Sequence, residues 1–101
     1  MKGGFMKHYF STFDNIVFTH SDMEYSELGR KVRVYFERPG KTTDNAAEFD
    51  FAEGDMPSFE FHKSYGFSQN ELLRLQRYLR NNSFLVWEYA QSGGGQKCLV
   101  S

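Results

Sequence analysis

Four residues, Glu48, Asp50, Glu60 and His62, could together hold a hard divalent cation. They lie in two runs, Glu48-Phe49-Asp50-Phe51 and Ser58-Phe59-Glu60-Phe61-His62, that alternate polar and aromatic side chains with period two. Period two places alternate residues on opposite faces of a strand. If the runs pair as antiparallel neighbours, the three acids and the imidazole share one face, and Phe49, Phe51, Phe59 and Phe61 share the other. Oxygen-rich sets of this kind suit Mg²⁺ or Mn²⁺. A half-exposed antiparallel sheet produces the same alternation with no ligand in view. The four residues therefore stand as candidates, and no metal or cofactor is assigned.

Other catalytic chemistry finds little material. His8, His20 and His62 fall on separate segments, and none has a His or Cys neighbour at metal-ligand spacing. No Gly-x-Ser-x-Gly elbow is present, and Gly93-Gly94-Gly95 precedes no helix, so it is no phosphate loop. The single cysteine, Cys98, follows that glycine run, away from any base. The chain reads as non-enzymatic, with a metal-dependent enzyme using Glu48, Asp50, Glu60 and His62 as an alternative.

The cations are better organised. Arg74, Arg77 and Arg80 fan over one side of a helical segment, with Leu73 beside them. Arginine around an outward leucine suits a protein interface, and guanidinium also grips phosphate. A second group, Arg30, Lys31 and Arg33, opens a strand. Twelve Lys and Arg against thirteen Asp and Glu give a net charge of −1, so any basic surface is local. These seven residues are the expected interaction set. A protein partner or a homo-oligomer is the first reading, and nucleic acid is the alternative.

Several elements must position these groups. Asp14-Asn15 separates Tyr9–Phe13 from Ile16–Thr19, which predicts a hairpin, with one bent strand as the alternative. The polar stretch from His20 to Gly29 reads as loop. Lys31 to Glu37 is the clearest strand, with Val32, Val34 and Phe36 facing one way and Arg33, Tyr35 and Glu37 the other. Arg38-Pro39-Gly40-Lys41 closes it. Glu48 to Ala52 and Ser58 to His62 follow as strands joined by Glu53-Gly54-Asp55-Met56-Pro57. Ser68 and Glu71 then form a capping box, with Phe67 placed as a staple. Leu72, Leu75 and Leu79 make the buried stripe. Asn81-Asn82 is expected to end this helix. Ser83 to Ala90 can form a second helix or, on the propensities of Phe84, Val86, Trp87 and Tyr89, a strand.

The 101 residues make one domain, residues 1–92, with 93–101 as a flexible tail. Eleven Phe, six Tyr and one Trp supply its core. A lone cysteine fits a reducing compartment, and no apolar run has signal-peptide or membrane-span length, so the expected location is cytoplasmic. Cys98-Leu99-Val100-Ser101 has the form of a prenylation box, and a lipid anchor at Cys98 is expected only in a eukaryotic source.

Lys31-Val32-Arg33-Val34, Ala47-Glu48-Phe49-Asp50-Phe51, Tyr65-Gly66-Phe67-Ser68 with Glu71-Leu72, and Trp87-Glu88 with Ala90 together carry a resemblance. They are similar to a family of small uncharacterised bacterial domains, often encoded beside a partner protein in toxin–antitoxin-like pairs. The family's paired histidines, and the prolines before them, are absent, with Lys31 and Arg33 in place of the histidines. Functions that depend on those histidines do not carry over. The resemblance implies a bacterial source, and a helix rather than a strand over Ser83 to Ala90. The expected architecture is α+β, an antiparallel β-meander of about four strands packed against one or two C-terminal helices.

Overall fold

The structure, a computed structural model, describes residues 7–40 and 49–92. The hairpin opens it. Strands β1 (His8–Phe13) and β2 (Ile16–His20) pair through Asp14 and Asn15. Both turn residues have positive φ, 51° and 66°, the left-handed geometry of the two-residue turn that matches strand twist. A bulge between Tyr9 and Ser11 re-aims β1. Phe10 thereby meets the Phe18 ring at 5.2 Å, and the Ser11 hydroxyl reaches the Tyr78 hydroxyl at 2.5 Å.

The stretch from His20 to Gly29 is more ordered than the expected loop. It contains β3 (Glu24–Ser26), which pairs with the start of β4 (Gly29–Pro39). His20 and Ser21 are buried rather than in solvent. The long strand alternates as its sequence implies: Val32, Val34 and Phe36 are fully buried on one side. β5 (Phe49–Met56) and β6 (Glu60–Tyr65) complete an antiparallel, six-stranded sheet in the order β1-β2-β4-β5-β6, with β3 on β4.

One helix, α1 (Gln69–Gln91), covers the inner face. Ser68 caps it: its hydroxyl accepts from Glu71 N at 3.1 Å, and the Glu71 carboxylate accepts from Ser68 N at 2.8 Å. The helix runs unbroken through Asn81-Asn82. Asn82 Nδ2 donates to Tyr78 O at 2.9 Å and Ser83 Oγ to Arg80 O at 3.0 Å, so both polar side chains are satisfied without leaving the helix. Val86 and Ala90 continue the stripe of Leu75 and Leu79, and packing that stripe on the sheet outweighs the poor propensity of two asparagines. Beneath it Phe18 and Phe36 stack with centroids 4.4 Å apart and planes 7° from parallel. Each such buried side chain contributes roughly 1.5–3 kcal/mol.

β5 faces the opposite way from expectation. Asp50, Ala52, Gly54 and Met56 point inward, while Phe49 is 56% exposed and Phe51 half-buried. The space over β5 is already taken by the Phe36 and Phe61 rings, 5.8 Å apart. A Cβ on Gly54 would overlap the Glu60 carbonyl and touch the Phe61 ring, so only glycine fits there. Phe59 lies in the β5–β6 turn with φ of 60°, not in a strand. The loop expected over 42–45, Glu48, the glycine tail and Cys98 lie outside the described residues.

Candidate functional site

At ~100° per residue, the side of α1 opposite Leu75, Leu79 and Val86 carries Leu73, Arg77, Arg80, Phe84 and Glu88. All five are exposed, Leu73 at 57% and Phe84 at 70%. Arg74, Asn81 and Leu85 flank this line and are exposed too. The capping box and the stripe of buried leucines fix the rotation of the helix, and so aim this face at solvent.

The expected interaction residues divide into two sites. Arg74 and Arg77 pair with no carboxylate among the described residues, whereas Arg80 lies over the Phe59 ring at 4.5 Å. That ring, with a hydrogen bond from Gln76 Nε2 to Phe59 O, holds the left-handed turn residue against α1. The second group opens β4 and is partly engaged within the fold. Arg30 stands over Trp87 at 5.6 Å, Arg33 pairs with Glu24 at 3.3 Å, and Lys31 is exposed. Beside them a shallow cavity of about 340 Å³ is lined by Lys31, Pro57 and Leu28, the last almost wholly exposed.

The acid and imidazole set does not assemble. Asp50 is buried on the inner face, Glu60 and His62 are exposed on β6, and Glu48 lies outside the described residues. Among the described residues no group of three or more His, Cys, Asp or Glu side chains is placed to hold a metal ion. His62 Nε2 instead approaches Asp55 Oδ2 at 3.4 Å, while Ser58 Oγ donates to Asp55 Oδ1 at 2.6 Å. Here the carboxylate stands between hydroxyl and imidazole. Hydroxyl activation needs the imidazole itself on the hydroxyl, so this cluster is not a nucleophile–base pair.

Two buried polar sites escape a sequence reading. In the first, the Arg38 guanidinium is enclosed: Nε donates to Asp50 Oδ2 at 2.8 Å, Nη1 to Glu71 Oε2 at 3.0 Å and Nη2 to Gly66 O at 3.0 Å. Its plane lies 4.2 Å over the Phe67 ring. Hydrogen bonding to Glu71, then to Asp50, raises the Arg38 pKa against the opposing effect of burial. A cavity of about 270 Å³ opens beside it, walled by Phe13, Phe67, Leu75 and Tyr78 with Arg74 at its margin. The carboxylate partners of Arg38 come from β5 and from the first turn of α1, far apart in sequence, and each taken alone looks like an ordinary surface charge. The only local signal is the capping box.

In the second, His20 Nδ1 donates to Ser21 O at 2.8 Å, and its Nε2 is buried with no hydrogen-bond partner among the described residues. The His8 ring lies 5.4 Å away and contacts Asp22 through Nε2 at 2.6 Å. Burial lowers the His20 pKa from 6.5, and nearby His8 lowers it further, against the hydrogen bond to Ser21 and the Asp22 charge.

No helix among the described residues is long and apolar enough to cross a membrane. Comparison with protein families, curated proteins and solved structures finds no match to this chain.

Proposed function

We propose that this chain is a non-enzymatic protein-interaction module that engages a protein partner through the outward face of α1. One observation carries the reading. Leu73 and Phe84 are exposed on one line of a capped, continuous helix, with Arg77 between them. Interface centres are enriched in aromatic residues and arginine, and a helix laid against a partner surface uses anchors spaced along one face. Leu73, Arg74, Arg77 and Arg80 form the site, with Phe84 added to them, and Arg30, Lys31 and Arg33 stand apart as a secondary patch. A cytoplasmic setting belongs to the same reading and is supported by the lone cysteine. Assignment to one half of a bacterial toxin–antitoxin-like pair has the sequence resemblance as its only support.

The test uses the tagged chain and a Leu73→Asp/Phe84→Asp variant as baits in extracts of the source cells. Capture of a protein by the first and not by the second, with unchanged circular dichroism, supports the reading. Equal capture by both baits, or none by either, removes it. Nucleic-acid retention that falls steeply with salt would favour the alternative use of the arginines.

A further inference from the structure

We infer that the partner covering the outward face of α1 is a second copy of this chain, docked antiparallel about a two-fold axis through Arg80 and Asn81. The inference rests on the reading of α1 as a docking surface and names the occupant. Its basis is that the face is complementary to itself.

The charges on and beside the exposed line are segregated. Arg74, Arg77 and Arg80 occupy the N-terminal half, and Glu88 stands in the C-terminal half. An isologous contact pairs residue i with j and j with i. Centred between positions 80 and 81, an antiparallel pair sets Arg77 opposite Phe84 of the second copy and brings Arg74 near its Glu88. Arg74 and Glu88 lie to the same side of the line, at ~80° and ~40° from its middle. A two-fold axis perpendicular to both helices keeps that side in common, so both ion pairs form without crossing the seam. The Glu88 carboxylate, like the Arg74 and Arg77 guanidiniums, has no ion-pair partner among the described residues.

The rings point the same way. Elsewhere in the chain arginines cover aromatic faces: Arg38 on Phe67 at 4.2 Å, Arg80 on Phe59 at 4.5 Å and Arg30 on Trp87 at 5.6 Å. Arg77 and Phe84 lack such a partner among the described residues, and the antiparallel pairing supplies one to each, twice. The antiparallel pairing leaves only Arg80 beside its own copy, at the axis, where each guanidinium is held over Phe59 of its own chain, whereas a parallel pairing would set all three arginines against their own copies, which like-charge repulsion disfavours.

Sedimentation velocity on the full chain over a wide concentration range, at low and moderate salt, tests this. The wild-type chain is expected to shift from monomer to dimer with concentration. Arg74→Glu and Glu88→Arg each place like charges at both symmetric contacts, and each is expected to weaken self-association about tenfold. An equimolar mixture of the two variants restores opposite charges at both contacts and is expected to recover dimer as a heterodimer. Because both residues are exposed, unchanged melting curves check that the variants fold. A wild-type chain that stays monomeric, singles that dimerise as well as wild type, or a mixture no better than the singles overturns the inference. If the chain stays monomeric while Leu73→Asp/Phe84→Asp still abolishes capture of another protein, the second copy is excluded and the docking surface stands. Loss of both effects removes both.

Discussion

Arg38 Nε donates to Asp50 Oδ2 at 2.8 Å across neighbouring strands, and both side chains are largely withdrawn from solvent. Asp50 is a carboxylate on the inner face of a sheet, and its charge is met by a guanidinium that also binds the helix cap through Glu71. One cation thus ties β4, β5 and the start of α1 together.

Removing that cation leaves Asp50 buried without compensation. Arg38→Ala is expected to destabilise the fold by about 3–5 kcal/mol, read from urea unfolding monitored by tryptophan fluorescence. Arg38→Leu combined with Asp50→Ala is expected to recover much of the loss, because the buried carboxylate goes with its cation, while the more exposed Glu71 keeps its hydrogen bond from Ser68 N. A double variant as unstable as the single would show that the ion pair is not the source of the effect.

Gly66 has φ of 86°, and a Cβ there would overlap the Asp50 carboxylate. Gly66→Ala therefore combines left-handed strain of roughly 1–2 kcal/mol with displacement of the Arg38 partner. The expected loss exceeds that of Ser68→Ala, which removes one cap hydrogen bond and costs about 1 kcal/mol. Thermal melts of the two variants side by side check the order, and the reverse order contradicts it.

Acid should loosen the end of the sheet that holds His20. Its folded-state pKa lies below the ordinary 6.5, so below that value the unfolded chain takes up a proton that the fold resists. Stability is complete above 6.5 and is lost as pH falls through the lower folded value. His8 and Asp22 are the titratable groups facing the ring. His20→Leu is expected to flatten the dependence of the urea midpoint between about pH 7.5 and 5. An unchanged slope in the variant would assign the effect elsewhere.

Leu73 and Phe84 make no contribution to the core, so Leu73→Asp and Phe84→Asp should each change stability by less than about 0.5 kcal/mol. Urea midpoints measured on dilute protein check this. A loss comparable to that of a core truncation such as Leu79→Ala, about 2–5 kcal/mol, would mean that these side chains are held inside the fold.

Much of the local structure is legible in the chain. Asp14-Asn15, the capping box at Ser68 and the alternation of Val32, Val34 and Phe36 each depend on residues within a few positions, and each forms as read. The outward arginines of α1 follow from the same helical period. β5 shows how a short window misleads. Glu48 to Phe51 alone suggests buried phenylalanines, but the run to Met56 places Glu53 and Asp55 in phase with them, and Ala52, Gly54 and Met56 with Asp50. The eight-residue strand contains the information, and four residues do not.

Near neighbours along the chain thus determined the hairpin, the cap and the two faces of the helix, because turn conformation, capping and 3.6-residue periodicity are local. Tertiary packing alone decided that α1 passes through two asparagines and that Asp50, Arg38 and Glu71 meet. Those outcomes depend on which side chains already fill the space above the sheet, and that volume is set by residues distant in sequence.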